Sequence, residues 1–384
     1  MSYIDIPAGD NFTNMRILYT TTIGSTMTFF CELIKQLLDD GHTVDLAVNE
    51  SLRPVAECYR EWGCRIHPLS CTRNPFSLGS LKAIFQIRKL VKDGGYDIVH
   101  CHTPVAAMCT RLACIGARKR GTKVYYTAHG FHFFKGAPVK NWMIYYPVEK
   151  LCSYFTDVLI TINKEDYALA RKKMKAKKVV YVPGVGLDVQ KFADISVDKA
   201  QKRKQIGVPE DAVLLLSVGE LNENKNHQVI LRALARLKDP GIHYAIAGRG
   251  PQQESLEALA RELGIEDRVH LLGYRTDVGE LYQIADIFCH PSRREGLPVS
   301  IMEAMSCGLS VVCTDIRGSA DLVENREYRK KADDVDGFAA VIQMLTQDPK
   351  KRNVIGEKNR ENAKKYDLSK IIPAMYEIYE LSEK

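Results

Sequence analysis

The sequence lacks several features, and each absence excludes a class of protein. No stretch reaches the roughly 18 uninterrupted apolar residues that suggest a membrane-spanning helix. The first ten residues show no basic region leading into an apolar one, so we expect no export signal. The sequence therefore predicts a cytoplasmic protein that is either soluble or peripheral on the inner face of the cell membrane.

Cysteine spacing is the second absence. The 11 cysteines include no C-x-x-C pair, so neither a zinc site nor a dithiol redox site is indicated. Several, such as Cys289 and Cys313, stand in apolar runs and are expected to be small buried residues in a reducing compartment. His100 and His102 could begin a zinc site, but further ligands are not in view, so we expect no metal.

A strong charge bias is also absent. The 54 lysines and arginines against 47 acidic residues give a net charge of +7, too small to indicate nucleic acid as a partner. This mild excess suits an anionic donor substrate or an anionic membrane surface. At 384 residues the chain is longer than the roughly 250–300 residues at which a single core stops growing, so we expect two domains.

Strands and helices alternate along the chain, which predicts parallel sheets covered on both faces. The opening β-α-β pattern lacks G-x-G-x-x-G between Thr20 and Thr26, so NAD is not expected. The pattern breaks at 183–188 and resumes near Ala212. We therefore predict an acceptor-side domain over 1–192, a nucleotide-sugar domain over 193–365, and a final helix at 366–384 that returns to the first domain. Only two C-terminal helices, near 336–345 and 371–381, are predicted from the apolar spacing.

The predicted fold class is α/β, with two tandem doubly wound Rossmann-like domains facing a cleft. Ligands bind such sheets at the carboxyl ends of the strands, where His100, His102 and His129 are expected. His129 is the best candidate because Gly130 behind it allows close backbone approach. A histidine in such a position is also commonly a hydrogen-bonded structural residue.

The stretch 291–308 carries the main motif. Its predicted helix begins near Leu297, after Gly296 and with Pro298 at a first-turn position. The unpaired N–H groups of a helix start can hold a phosphate, and the Ser300 hydroxyl could add a contact. Glu295 would then accept hydrogen bonds from sugar hydroxyls.

Glu303 lies within the same predicted helix, eight positions after Glu295. Two carboxylates near a phosphate site suit the neutral hydroxyls of a ribose or hexose, so the pattern indicates a sugar nucleotide. The alternative is that both glutamates lie on a solvated face, where such spacing is common.

The segment 131–146 is unusually aromatic and contains lysines. Its membrane-facing candidates are Phe131, Phe133, Phe134, Lys135 and Trp142. Aromatic residues interleaved with lysines suit a membrane interface. The helical spacing of Trp142 and the following tyrosines equally fits a core stripe.

Several short motifs together resemble the family-four retaining glycosyltransferases of the GT-B fold, especially the bacterial capsular and exopolysaccharide type. The central one is E-x7-E, formed by Glu295 and Glu303. The others are Gly41-His-Thr-Val44, Asp97-Ile-Val-His-Cys-His-Thr-Pro104, Ala128-His-Gly130, Lys225-Asn226 and Gly248-Arg-Gly-Pro251.

The resemblance implies a role for each matching residue. Glu303 would bind the ribose, Glu295 the donor sugar, and Lys225 the leaving diphosphate. The amides near Gly296 and Leu297 would hold the diphosphate, without an essential metal or other cofactor. The expected site is completed by Ser300, Arg249, Tyr274 and Arg275 on the donor side, and by His129 and the loop at Gly24 on the sugar and acceptor side.

Two departures from the family pattern are visible. Many members carry arginine where Glu220 stands, so a second cation would have to come from Arg249, Arg293 or Arg294. Many also read Pro-Asn-Gly-Val-Asp where this chain has Pro183-Gly-Val-Gly-Leu-Asp188.

We therefore predict a retaining hexosyl- or N-acetylhexosaminyltransferase. It would move a sugar from a UDP-sugar to a lipid-linked saccharide in surface polysaccharide or glycan biosynthesis. Two alternatives remain at this point: a sugar-nucleotide epimerase or hydrolase, and a non-catalytic sugar-nucleotide-binding partner of another transferase.

Overall fold

The computed structural model describes residues 14–380 and divides into two compact units. The first unit comprises the described residues of Met1–Thr161, Leu169–Val180 and Ile372–Lys384. The second comprises Ile162–Ala168 and Tyr181–Ile371. The segment 183–188 thus groups with the second unit, whereas the sequence places the boundary after residue 192.

The first unit contains a seven-stranded parallel sheet in the order β3-β2-β1-β4-β5-β6-β7. Its strands are β1 (Arg16–Thr20), β2 (Thr43–Val48), β3 (Ile66–Pro68), β4 (Ile98–His102), β5 (Lys123–Ala128), β6 (Val158–Thr161) and β7 (Lys178–Tyr181). The helices along this stretch are α1 (Cys31–Asp39), α2 (Cys58–Glu61), α3 (Leu78–Gly94), α4 (Pro104–Ala113), α5 (Ile115–Arg118), α6 (Val139–Ser153) and α7 (Lys164–Lys173).

The second unit contains a six-stranded parallel sheet in the order β10-β9-β8-β11-β12-β13. Its strands are β8 (Val213–Val218), β9 (Ile242–Ala247), β10 (Val269–Gly273), β11 (Ile287–His290), β12 (Ser310–Thr314) and β13 (Arg329–Lys330). The helices along this stretch are α8 (Val189–Ala193), α9 (Lys199–Gln205), α10 (Gln228–Leu237), α11 (Gln253–Glu262), α12 (Val278–Ile284), α13 (Val299–Ser306), α14 (Ser319–Leu322), α15 (Val335–Gln347) and α16 (Pro349–Ala363). The last helix, α17 (Leu368–Tyr379), begins in the second unit, but its residues from Ile372 onward belong to the first.

Both sheets are doubly wound, which confirms the predicted fold class. In each, the first strand lies inside the sheet and the chain winds outward from it in both directions. The inner strands are nearly continuous apolar runs because helices cover both faces. In β8, for example, Leu215 pairs with Tyr244 of β9 on one side and Ile287 of β11 on the other.

The C-terminal region differs from the prediction, because α16 was not predicted. Asp348 caps this helix by accepting from the Lys351 N–H at 2.9 Å, and Pro349 occupies its first turn. Its buried residues are Gly356, Asn359 and Ala363, which form no apolar stripe that the sequence pattern could reveal.

Two of the predicted membrane-facing aromatic residues after β5 are core residues, which corrects that part of the prediction. Phe131 and Phe133 are 3% and 0% exposed, and Trp142 packs against the same cluster. The Trp142 indole N–H donates to the Phe134 carbonyl at 3.2 Å. Buried side chains cannot reach a membrane, so of the predicted residues the half-buried Phe134 and Trp142 and the exposed Lys135 remain available. Among the described helices, none combines the length and apolar character needed to cross a membrane.

Candidate active site

The central motif forms a strand-to-helix junction in the second unit. α13 begins at Val299 with Pro298 as its N-cap residue, two residues later than predicted. Within the described part of the chain, the backbone N–H groups of Gly296 and Leu297 have no hydrogen-bond acceptor. Together with the partial positive charge of the helix start, they can bind an anionic group.

Glu295 lies beside this junction in a tight cluster of polar groups. Its Oε1 atom is 2.7 Å from Lys225 Nζ and 3.2 Å from His290 Nε2. Burial would raise the pKa of Glu295, but the His290 hydrogen bond and the Lys225 charge outweigh it and hold the pKa below its usual range. Ser300 Oγ lies 3.4 Å from His290 Nδ1, so its hydroxyl belongs to the same cluster.

Glu303 has a different environment on α13. Tyr282 donates its hydroxyl to Oε2 of Glu303 at 2.8 Å. Burial raises the pKa of Glu303, and this hydrogen bond only partly opposes the shift. The tyrosine fixes the carboxyl group through one oxygen, so the other can accept a hydrogen bond from a ligand hydroxyl.

The loop after β8 positions Lys225. Asn226 has a left-handed backbone conformation (φ 54°), and its side-chain amide donates to the carbonyls of Pro291 (3.2 Å) and Ala332 (2.8 Å). The Lys225 N–H donates to Asn222 Oδ1 at 3.0 Å. The pair Lys225-Asn226 thus combines the cation that contacts Glu295 with the residue that anchors its loop to the Glu295 segment.

Arg317 also holds the Glu295 segment in place, and the sequence did not indicate this residue. Its Nε donates to the Glu295 carbonyl at 3.1 Å, and its guanidinium forms a buried ion pair with Asp166. Gly318 follows with φ +75°, and a Cβ there would lie 2.1 Å from the Gly296 carbonyl oxygen. No short motif marks this pair, because its partners are 151 positions apart.

Two glycines bring the neighbouring loops together. A Cβ at Gly248 would lie 1.8 Å from the Gly219 carbonyl oxygen, and one at Gly250 would lie 2.3 Å from the Leu221 carbonyl oxygen. The glycines of Gly248-Arg-Gly-Pro251 are therefore explained by backbone packing. Arg249 between them is exposed, and within the described residues it has no ion-pair partner.

Comparison with known proteins identifies the class of this site. The family model described as glycosyl transferases group 1 matches residues 198–362, and the glycosyl transferase 4-like model matches 16–163. "Putative glycosyltransferase EpsD" of Bacillus subtilis (strain 168) is 38% identical over 313 residues, covering 80% of this chain and 82% of the relative. The chain is a glycosyltransferase.

A second relative and a solved structure are also similar to this glycosyltransferase, and the structure identifies its fold. The Escherichia coli UDP-Gal:alpha-D-GlcNAc-diphosphoundecaprenol alpha-1,3-galactosyltransferase is 28% identical over 291 residues, covering 73% of this chain and 74% of that protein. The crystal structure of Anabaena Alr3699/HepE in complex with UDP and glucose matches with a TM-score of 0.79 at 21% identity, over 96% of this chain and 100% of the other. The glycosyltransferase therefore has the GT-B fold, as its motifs predicted.

The remaining predicted cations of the glycosyltransferase differ in availability. Arg275 Nε pairs with Asp277 at 2.7 Å, and Arg293 Nη2 pairs with Asp333 at 2.6 Å, so both charges are already compensated. Arg294 is exposed, and the ion pairs of the described residues do not include it. Tyr274 is 69% exposed beside Arg275.

The predicted residues of the first unit form a separate cluster. His129 Nε2 lies 3.2 Å from His102 Nδ1, and burial lowers the pKa of His129 to about 4. His100 is bound on both ring nitrogens, to Tyr379 (2.5 Å) and Thr127 (2.8 Å), which is a structural role. Across the described residues, no group of three or more histidines, cysteines or carboxylates could hold a metal ion.

Gly24 is explained by packing in the first unit. A Cβ on this residue would lie 2.5 Å from the Pro54 carbonyl carbon, and its N–H donates to the Arg53 carbonyl at 3.0 Å. The structure thus accounts for the glycine without a ligand, and its role in binding stays a prediction.

Proposed function

We propose that this glycosyltransferase is a retaining enzyme that transfers a sugar from a UDP-sugar to a lipid-linked saccharide at the cytoplasmic membrane face, in the biosynthesis of a surface polysaccharide or glycan. The observation that carries the donor half is the cluster of Lys225, Glu295 and His290 beside the free amides of Gly296 and Leu297. It combines a cation, an ionised acceptor and backbone donors within one junction. Similar proteins support the same assignment: the Escherichia coli relative is a galactosyltransferase named for UDP-Gal and a diphosphoundecaprenol acceptor, and one fold neighbour was crystallised with UDP and glucose.

Each group has a specific task in this proposal. The diphosphate would lie against the amides of Gly296 and Leu297, and Lys225 would neutralise the charge that develops on it as the glycosidic bond breaks. Glu295, kept ionised by Lys225 and His290, would accept hydrogen bonds from donor-sugar hydroxyls. Glu303 would bind the ribose through the oxygen that Tyr282 leaves available.

Retention would follow from attack on the face that the diphosphate leaves. The acceptor hydroxyl forms the new bond to the anomeric carbon while the bond to the β-phosphate oxygen breaks, and the hydroxyl proton passes to that departing oxygen. This step requires no protein base. It depends instead on stabilising the leaving group, which is what a cation and preorganised amides supply.

The test is nucleotide binding by the complete chain with and without the Glu303 carboxylate. A ligand that binds only the folded protein raises its melting temperature, so UDP should stabilise the wild type more than GDP, ADP or NAD do. Glu303→Ala should weaken UDP binding about 5- to 150-fold, because a hydrogen bond to a charged or buried partner is worth about 1–3 kcal/mol. Glu262→Ala, an exposed carboxylate at the end of α11, is the matched control.

A UDP shift that is unchanged by Glu303→Ala would refute the role of this residue. A preference for GDP or ADP would refute the UDP-sugar donor while leaving the transferase class intact. Transfer from the selected UDP-sugar to a lipid-linked saccharide, followed by NMR of the product linkage, then tests the acceptor and retention.

A further inference from the structure

An apolar cavity of about 320 Å³ lies in the first unit, apart from the groups assigned above. It sits at the carboxyl ends of β1, β4 and β5, between the segment before α3 and the helix α6. Apolar and aromatic side chains form most of its wall, including Phe76, Met108, Phe131, Ile144 and Val148. This size and lining are typical of a small-ligand site.

The carboxylate at the cavity wall, Glu149, is already compensated within the protein. The Glu149 carboxylate accepts two hydrogen bonds from the buried Arg111, at 2.9 and 3.1 Å. The hydroxyls of Thr22 and Thr103, also at the wall, bond to each other at 2.8 Å. Because these polar groups satisfy one another, the cavity favours an apolar ligand over a polar one.

Among the described residues, most of the exposed large apolar side chains belong to the first unit. Phe76 and Ile144, which line the cavity, are 77% and 49% exposed. The first unit further exposes Phe29, Leu52, Leu78, Leu81, Phe85, Val139, Met143, Leu151 and Tyr154. Within the described part of the second unit, only Tyr274 and Val354 are comparable. This concentration of exposed apolar side chains in one unit, two of them at the cavity, points to an interaction site there.

Basic residues accompany this apolar surface on α3. The exposed Leu78, Leu81 and Phe85 share the helix with four exposed cations: Lys82, Arg88, Lys89 and Lys92. Asp93 is the only acidic residue of α3. Arg73, another exposed cation, lines the cavity itself. Cations beside exposed apolar side chains complement a lipid, which joins an anionic head to a hydrocarbon chain.

We propose that this cavity binds the hydrocarbon chain of a phosphate-bearing lipid, with the anionic head near Arg73. This inference deepens the proposed function, because it assigns the lipid part of the acceptor to the first unit. The exposed face of α3 would lie on the membrane from which the chain is taken. The lipid is thus recognised by its chain and its charge, independently of the sugar that it carries.

Farnesyl diphosphate is a suitable soluble probe, and the protein supplies its own reporter. Trp142 packs on Phe133 of the cavity wall, with ring centroids 5.4 Å apart. Trp62 is the only other tryptophan, so Trp62→Phe leaves Trp142 as the sole emitter. We expect farnesyl diphosphate to change the Trp142 fluorescence saturably in the full-length protein. Every titration contains saturating UDP and inorganic diphosphate. These occupy the other diphosphate-binding groups, so that farnesyl diphosphate bound there does not contribute to the signal.

Two matched pairs of variants localise the site. Ile144→Glu places a charge at the cavity. Met143→Glu places the same charge on the preceding residue, which does not line the cavity. Phe76→Ser removes a wall residue, and Leu78→Ser removes an equally exposed apolar side chain outside the cavity. We expect the first member of each pair to weaken farnesyl diphosphate binding at least tenfold and the second to change it less than threefold.

The inference is overturned if farnesyl diphosphate gives no saturable change, or if both members of each pair weaken binding equally. The UDP-induced rise in melting temperature serves as a separate control, and it should be the same in all four variants. If UDP fails to bind the wild type, the proposed function fails, but the farnesyl diphosphate titration still decides the lipid site. Since all four substituted positions are exposed, we expect the variants to fold.

Discussion

The two sheets share a winding order but differ at their carboxyl ends. In the second unit this edge is ionic, because Lys225 and His290 hold the pKa of Glu295 below its usual range. In the first unit it is neutral, because burial lowers the pKa values of His100 and His129 to about 3 and 4. The same fold therefore offers one edge suited to a charged diphosphate and another suited to uncharged groups.

Both units contain a buried arginine–carboxylate pair, but the two pairs have different surroundings. Arg317 and Asp166 in the second unit hold the Glu295 loop. Arg111 and Glu149 in the first unit lie at the wall of the apolar cavity. One pair thus orders a charged site, and the other removes charge from an apolar one.

The largest expected effect comes from removing the cation of the ionic edge. Lys225→Met should lower the rate of UDP-sugar turnover by about 10²- to 10³-fold, the usual loss when a group that stabilises developing charge is deleted. The rate of UDP release from the donor selected by the binding screen measures this effect. Lys331→Met, an exposed lysine of the same unit, should retain the wild-type rate. Equal rates for both variants would show that Lys225 does not serve the leaving group.

The buried pair of the first unit should give the largest effect on stability. Arg111→Met leaves the Glu149 carboxylate buried without its partner, which should lower the free energy of unfolding by about 3–5 kcal/mol. Urea unfolding followed by tryptophan fluorescence measures this, since Trp62 and Trp142 both lie in the first unit. The double change Arg111→Met with Glu149→Leu should recover most of the loss. A single variant as stable as wild type would contradict the view of Glu149 as a charge that needs Arg111.

The neutral histidines predict how the stability of the first unit depends on pH. Unfolded histidines take up protons near pH 6.5, whereas folded His100 and His129 do so only near pH 3 and 4. Between pH 6.5 and about 4 the unfolded chain therefore binds more protons, and stability falls as the pH is lowered. Each fully shifted histidine contributes about 1.4 kcal/mol per pH unit.

Urea unfolding at pH 7, 6 and 5, again followed by tryptophan fluorescence, measures this slope. His129→Gln removes one of the shifted groups and should flatten the slope by about one histidine's contribution. Constant stability between pH 7 and pH 5 would show that the histidines of this edge are not held neutral.

The sequence predicted the fold and most of the ionic edge because both depend on local patterns. Apolar alternation revealed the doubly wound sheets, and E-x7-E placed Glu295 just before one helix and Glu303 within it. The groups that it missed, His290, Tyr282 and Arg317, act through contacts made only when loops meet. His290 ends a strand and could have been suspected on that ground, whereas Arg317 gives no local signal.

The neutral edge was harder to predict because its pattern permits two interpretations. The aromatic spacing after β5 fits both a membrane interface and a core, and burial of Phe131 and Phe133 decides for the core. Several of the exposed apolar residues lie on α3 and α6, among polar and charged neighbours as in an ordinary solvated helix. Exposure depends on tertiary packing, so periodicity alone could not separate the two sets.

The smallest expected effect concerns Glu220, which departs from the arginine expected from the family resemblance. Glu220 is exposed and directly follows Gly219 in the chain. Gly219 packs against the Lys225 side chain, because a Cβ on this glycine would be 3.1 Å from Lys225 Cε. Glu220→Arg should therefore strengthen UDP binding, but only about threefold, because exposed charge pairs are worth about 0.2–1 kcal/mol. Glu220→Gln should give roughly half of that free energy. The gain should shrink between 20 mM and 500 mM salt, since added ions screen exposed charges. A gain that is independent of salt would instead mean that the new arginine contacts the diphosphate directly.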